Sequence, residues 1–226
     1  ALSGGEAFEG LNVIGEMGTN FIIVLNDNDQ SISENHGGMY RKFKELRDTN
    51  GMAEDNLFRA LGLRYRYIAD GHDTEELIRV FSEEKDSDRP IVIHIHTVKG
   101  KGLPFAENDP EGWHRHAPFH IESGIAKKES TPDPYAVATV DFVLETAKRN
   151  PNFVYLSAGI VGGINLSPED RAALGSQYVD VGIAEEHAVA MASGLARGGA
   201  RPIFGTYSTF FQRVYDQMSQ DVAINR

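Results

Sequence analysis

Two acids and a histidine, Glu185-Glu186-His187, follow Val181-Gly-Ile-Ala184 where an apolar strand gives way to a helix. A carboxylate in the first turn of a helix is favoured by the macrodipole and by unpaired backbone N–H groups. Adjacent acids cannot share one helix face, so one can enter a pocket while the other stays near water. The plainer reading is helix-start chemistry alone. A second block, Leu25-Asn-Asp-Asn-Asp-Gln-Ser-Ile-Ser33, crowds short oxygen-bearing side chains at the end of an apolar run. Hard cations such as Mg²⁺ take oxygen ligands, and an Asx-rich turn is the alternative. A third block pairs His94-Ile-His96-Thr-Val-Lys99-Gly-Lys101-Gly with Trp113-His114-Arg-His116-Ala-Pro-Phe-His120. Its histidines invite zinc, but no zinc-site spacing is met. In a fourth, Tyr207, Phe210 and Arg213 offer an aromatic platform and a guanidinium fork, suited to a flat heterocycle and to phosphate. Taken alone, Phe210 reads as core and Arg213 as a solvated helix face.

The elements that carry these blocks alternate. Ser3-Gly-Gly-Glu6 has capping-box spacing and Phe8, Leu11 and Ile14 recur at helical intervals, which predicts a helix from Gly5 to Met17. Phe21 to Leu25 is a continuous apolar run of strand length, typical of a buried parallel strand. Ser31 to Asn50 is polar and basic and reads as a long loop with a short helical piece. A helix at Asp55–Leu61, a strand at Arg64–Ile68, a helix capped by Asp73 and running to Lys85, and a strand from Ile91 to Ile95 follow. From Thr97 to Pro134 the chain reads as irregular, ending in a linker-like stretch. The rhythm then restarts: a helix from Pro134 to Lys148, a strand at Phe153–Leu156, a helix capped by Ser167, a strand at Tyr178–Val181, a helix at Ala184–Arg197, a strand at Arg201–Thr206, and a helix from Ser208 onward. That order predicts two α/β units with parallel, helix-covered sheets.

The 33 acidic against 22 basic residues give a net charge of −11, which disfavours nucleic acid and anionic membranes as partners. The absence of cysteine excludes disulfides and thiolate metal sites and fits a reducing cytoplasm. No apolar run approaches the length of a membrane span. The chain opens on the threshold of a helix and stops inside an unfinished one, so it reads as a piece of a longer protein with both units incomplete at the termini.

Gly4-Gly-Glu-Ala-Phe-Glu-Gly-Leu-Asn12, with Asn26-Asp-Asn28 and Ser31-Ile-Ser33, resembles the second part of the thiamine-diphosphate motif. Val181-Gly-Ile-Ala-Glu185, Gly194-Leu-Ala, Arg201-Pro-Ile, Tyr207-Ser-Thr-Phe210 and Gln212-Arg213-Val-Tyr-Asp-Gln217 are similar, in order and spacing, to the 1-deoxy-D-xylulose-5-phosphate synthases, a transketolase-like family. The resemblance covers roughly 4–38 and 57–226; the segment between Ser33 and Leu57 is markedly shorter than the family's. It implies thiamine diphosphate and Mg²⁺ as cofactors, with Asn28 and the carbonyl of Gln30 as metal ligands. A first ligand would lie in a Gly-Asp-Gly preceding Ala1. Glu185 would bond N1′ of the aminopyrimidine and favour its imino tautomer, Phe210 would stack on that ring, and Tyr207 and Arg213 would face a phosphate-bearing acceptor. Lys99 and His114 would line the active-site mouth, Lys99 beside the cofactor and His114 handling protons and substrate; Asp70-Gly-His72-Asp73 would be structural.

The implied domains are a diphosphate-binding one at 1–120, a linker at 121–134 and an aminopyrimidine-binding one at 135–226. The implied reaction condenses pyruvate with glyceraldehyde 3-phosphate, with decarboxylation, in a cytoplasmic homodimer serving isoprenoid precursor, thiamine and pyridoxal synthesis. A transketolase, or a non-catalytic fragment acting as an interaction module, are the alternatives.

Overall fold

The computed structural model describes residues 2–128, 131, 133–160 and 166–225. Glu129, Ser130 and Pro132 of the expected linker, and the terminal Ala1 and Arg226, lie outside the described residues. The chain divides into two compact units, one of Ala1–Gln30 with Glu34–His114, the other of Ser31–Ser33 with Arg115–Arg226.

Helix α1 (Gly5–Glu16) starts one residue later than the capping box requires, with Gly4 as N-cap and no side-chain cap. Glu6 therefore stands at the second helical position rather than the third, out of reach of the reciprocal bond. The Ser3 hydroxyl instead accepts from Tyr40 at 3.2 Å. Strands β1 (Ile22–Asp27), β2 (Arg64–Ile68) and β3 (Ile91–His96) form a parallel sheet in the order β1-β3-β2. One face packs Ile91 and Ile93 on Val80 of α4 (Thr74–Glu84), which Asp73 caps by accepting the Glu76 N–H at 3.0 Å. The other face buries Val92 among Leu11, Phe43, Leu46, Phe58 and Leu63. Helix coverage on both faces is what a parallel sheet needs.

The expected loop at Ser31–Asn50 is a correction: it contains an eleven-residue helix, α2 (Gly38–Asp48). Only a narrow stripe of it is apolar, but Phe43 and Leu46 are almost completely buried, and packing overrides a weak local signal. Gly37 precedes it at φ +114, a conformation that favours glycine. Asn56 caps the short α3 (Leu57–Ala60) by accepting the N–H groups of Phe58 and Arg59. A five-residue helix, α5 (Pro104–Asn108), interrupts the stretch expected to be irregular.

In the second unit β4 (Phe153–Ser157), β5 (Tyr178–Asp180) and β6 (Arg201–Phe204) form a parallel sheet in the order β5-β4-β6. Helix α6 (Pro134–Arg149), with Pro at its start, packs Val143 and Ala147 on Phe153 and Tyr155. Helix α7 (Pro168–Leu174) has a complete capping box between Ser167 and Asp170. Helix α8 (Glu185–Arg197) packs on β4 and β6. The regular helix expected from Ser208 is instead a 3₁₀ run (Ser208–Val214), one α turn α9 (Tyr215–Gln217) and a π-wound stretch (Met218–Ile224). The Ser193 hydroxyl donates to the Asp221 carbonyl in that stretch at 2.6 Å.

Candidate active site

In the first unit the carboxyl end of β1 carries Asp27, only 5% exposed. Its Oδ2 receives Arg47 of α2 and His94 of β3, the latter with Nε2 at 3.0 Å. His94 is fully buried and boxed by Phe43, Tyr65 and Tyr67. Its Nδ1 lies 2.7 Å from the Tyr65 hydroxyl. Facing a carboxylate, Nε2 carries a hydrogen, and Nδ1 is paired with the Tyr65 hydroxyl. Burial pushes the Tyr65 hydroxyl well up, so it stays a donor. Burial also pushes the Asp27 carboxyl up, but hydrogen bonds from His94, the Asp29 N–H and Arg47 outweigh it and hold it at about 2.

The next turn carries Asn28 and Gln30. Asp27 Oδ1 accepts the Asp29 N–H at 3.1 Å, and Asn28 Oδ1 accepts the Gln30 N–H at 3.1 Å. Asp29 has φ +63, and Arg47 Nη2 holds its carboxylate at 2.8 Å. Asp27 is thus committed to protein partners. The Asn28 amide oxygen keeps a second lone pair, and with the Gln30 carbonyl it offers hard oxygen donors of the kind Mg²⁺ takes. By donor type they suit two positions of an octahedron, phosphate oxygens being the usual complement. Among the described residues, no three His, Asp, Glu or Cys side chains gather as a metal group, so neither His94 nor His96 is part of such a cluster.

The loop after β3 positions Lys99. His72 Nε2 accepts the Val98 N–H at 2.8 Å, and Glu107 accepts the Gly102 N–H at 2.8 Å. Gly100, at φ +81, leaves no room for a side chain, since a Cβ would meet Ala106 at 2.6 Å. Trp113 stacks on Phe105 with ring centroids 5.9 Å apart. Burial lowers the Lys99 ammonium below its ordinary value against an opposing pull from Glu111. Burial, then the positive charge of Lys99, lowers the His114 imidazole. His114 therefore lies within the field of the Lys99 ammonium.

In the second unit Glu185 opens α8 and is 2% exposed. The loop before it is fixed by Asp180, whose Oδ1 accepts the N–H groups of Gly159 at 2.9 Å and Gly182 at 2.8 Å. Arg213 Nη1 donates to Glu185 Oε2 at 2.7 Å, and its Nη2 to Glu186 at 3.2 Å. One guanidinium thus spans both acids, and the bond to Glu185 uses a single carboxylate oxygen. Tyr207 and Phe210 meet edge to face at 6.1 Å. Tyr207 is exposed and Phe210 half-buried.

The structure therefore brings together Asn28 with Gln30, Lys99 with His114, Glu185 with Arg213, and Tyr207 with Phe210. Sequence reasoning missed Arg47, His94, Tyr65 and Asp180 as positioning groups, while His72 lies in the Asp70–Asp73 block expected to be structural. For Arg47 a signal existed: Phe43, Leu46 and Arg47 stand at i, i+3 and i+4, one face of a helix.

A family model described as 1-deoxy-D-xylulose-5-phosphate synthase matches residues 1–55 and 48–97, and one described as the transketolase pyrimidine binding domain matches 135–226. The break at 48–55 falls in the segment that reads as short. The 1-deoxy-D-xylulose-5-phosphate synthases of Picosynechococcus sp. and Trichormus variabilis are each 36% identical, over 100% and 99% of this chain and 42% of theirs. Solved transketolases from Campylobacter jejuni and Leishmania mexicana cover 94% and 95% of the chain and 42% of their own, at 17% and 15% identity with a TM-score of 0.35. So low a score adds nothing to a fold that rests on strand order. The chain spans less than half the length of the curated relatives it matches, and it belongs to the 1-deoxy-D-xylulose-5-phosphate synthase family.

Proposed function

We propose that the chain forms the cofactor-holding part of an enzyme that condenses pyruvate with glyceraldehyde 3-phosphate, with loss of carbon dioxide, to 1-deoxy-D-xylulose 5-phosphate. The observation that carries this reading is Glu185: a buried carboxylate at a helix start, in the motif the family resemblance assigns to the aminopyrimidine. Thiamine diphosphate, when bound, supplies the nucleophilic carbon and the electron sink for decarboxylation. Glu185 would share a proton with the aminopyrimidine N1′ and so set the ring's tautomer. Arg213, on Oε2 of the same carboxylate, steadies its rotamer and leaves Oε1 for a second partner.

Asn28 and the Gln30 carbonyl would hold Mg²⁺ as hard oxygen ligands. Phe210 would stack on the flat heterocycle, and Tyr207 and Arg213 would face the phosphate-bearing acceptor. Lys99, with its lowered ammonium, and His114, with its lowered imidazole, would present charge and a proton acceptor to substrate. On this reading residues 1–120 hold the diphosphate and metal, 121–134 link, and 135–226 hold the aminopyrimidine, in a cytoplasmic homodimer feeding isoprenoid, thiamine and pyridoxal synthesis. The full-length protein, given pyruvate and glyceraldehyde 3-phosphate, is expected to release carbon dioxide and 1-deoxy-D-xylulose 5-phosphate. Two-carbon transfer from xylulose 5-phosphate without use of pyruvate would replace this reading with a transketolase.

A further inference from the structure

We infer that Arg47, together with Asp27, His94 and Tyr65, is a clamp that pre-sets the Asn28–Gln30 turn for a divalent cation before the cation arrives. The inference rests on the reading of Asn28 and Gln30 as metal ligands. Arg47 reaches both acids that flank Asn28: Nη1 is on Asp27 and Nη2 is 2.8 Å from Asp29. The arginine side chain is only 9% exposed and that of Asp27 4%, so the pair is desolvated and its geometry matters more than that of a surface pair. Behind Asp27 the chain of bonds continues through His94, 3.0 Å away, to Tyr65, 2.7 Å beyond. Every atom of this network points at the turn or at a group that does.

Asp29 is the reason a clamp is needed. A non-glycine residue at φ +63 is uncommon, though Asp adopts this region more readily than most, and it is held there by its neighbours. Here the Asp29 N–H is bound by Asp27 and its carboxylate by Arg47, so both ends of the residue are fixed. With Asp29 fixed, Asn28 Oδ1 and the Gln30 carbonyl belong to one rigid turn, which Asn35 closes by donating its N–H to the Asp29 carbonyl at 3.2 Å. One guanidinium against two carboxylates leaves the turn with net negative charge, the sign a cation needs. Such outer groups, although they touch no metal, orient the ones that do. Arg47 comes from α2, inside the first stretch that the family model matches, residues 1–55.

The test uses the full-length protein and the variants Arg47→Leu, Arg47→Lys, Tyr65→Phe, Asn28→Ala and, as a control, Arg66→Leu. Arg66 is paired with Glu84 on β2 and touches nothing in the turn. Amide hydrogen exchange at Asp29 and Gln30 is followed without metal, and Mn²⁺ binding at saturating thiamine diphosphate by electron paramagnetic resonance. Arg47→Leu is expected to speed exchange at both amides and to weaken Mn²⁺ by about tenfold to a hundredfold. Arg47→Lys, which keeps one contact, should recover part of the loss, and Arg66→Leu should leave both readouts at the parent value. If Arg47→Leu does not fold, Arg47→Lys and Tyr65→Phe carry the test, with smaller shifts of the same sign. Unchanged exchange in the folded Arg47 variants, or an equal change in Arg66→Leu, overturns the clamp. Faster exchange in Arg47→Leu, with Mn²⁺ binding untouched by Asn28→Ala, keeps the clamp as the device that fixes the turn and removes the metal reading.

Discussion

The two units solve one problem differently: each must hold a polar group still at the carboxyl end of a parallel strand. In the first, the groups of interest are on the turn after β1, and a buried line of side chains, Arg47–Asp27–His94–Tyr65, fixes the backbone that bears them. In the second, the backbone before α8 is held by Asp180, through two N–H groups, and by the Val181 N–H on the Ser157 carbonyl, and the Glu185 carboxylate is itself gripped by Arg213. The first unit thus ties stability to its site, because the clamp lies in the core. The second separates them, since Arg213 is partly exposed and Glu186 shares its charge.

That contrast is broken or sharpened by substitution. The largest effect is expected for Glu185→Gln in the full-length protein: turnover should fall by about a hundredfold to ten-thousandfold, the range for a lost proton-handling group, while the melting temperature stays near the parent value because the amide oxygen still accepts from Arg213. Asp27→Ala should do the reverse, with a stability loss of about 3–5 kcal/mol in denaturant titration, since the buried Arg47 keeps only the half-exposed Asp29 as counter-charge and His94 loses its acceptor. Equal stability losses at the two positions would erase the distinction. Asp180→Ala should lie between, at about 1–3 kcal/mol, as two loop N–H groups lose their acceptor. Asp73→Ala, which removes only a helix cap, should cost about 1 kcal/mol.

A smaller effect concerns the loop after β3. Burial and Lys99 both lower the His114 imidazole, burial more. Lys99→Met should therefore raise the His114 titration midpoint toward the ordinary value of 6.5 without reaching it, as followed by the imidazole proton resonances. The sign follows from the charge: a neighbouring cation disfavours the protonated ring, so its removal favours protonation. A midpoint that stays fixed would mean that Lys99 and His114 do not share a field.

The strands were legible as short apolar runs, as at Ile22–Leu25 and Ile91–Ile93, although only the central β3 is buried on both faces and Val24 of the edge strand β1 is exposed. Asp73 and Ser167 were legible as caps because a cap is a local bond. Helix α2 was legible only as a short helical piece, since its length and stability come from Phe43 and Leu46 meeting Phe58 and Val92, a partnership no local pattern announces. The uneven winding after Ser208 was not legible, because the residue types there read simply as helix. The candidate residues were visible as motifs, but their partners were not: Glu185 and Arg213 are 28 residues apart and Asp27 and His94 are 67. His94 shows the gap most clearly. Its alternation on β3 placed it on the right face, yet only the fold shows an aromatic box that leaves it for Asp27 and Tyr65.

The central claim is that Glu185 switches the cofactor, and its most direct measurement is hydrogen–deuterium exchange at the thiazolium carbon of bound thiamine diphosphate in the full-length protein. The account predicts that Glu185→Gln slows this exchange by about a hundredfold or more while cofactor affinity changes little. Exchange as fast as in the parent protein, with the cofactor demonstrably bound, would contradict it.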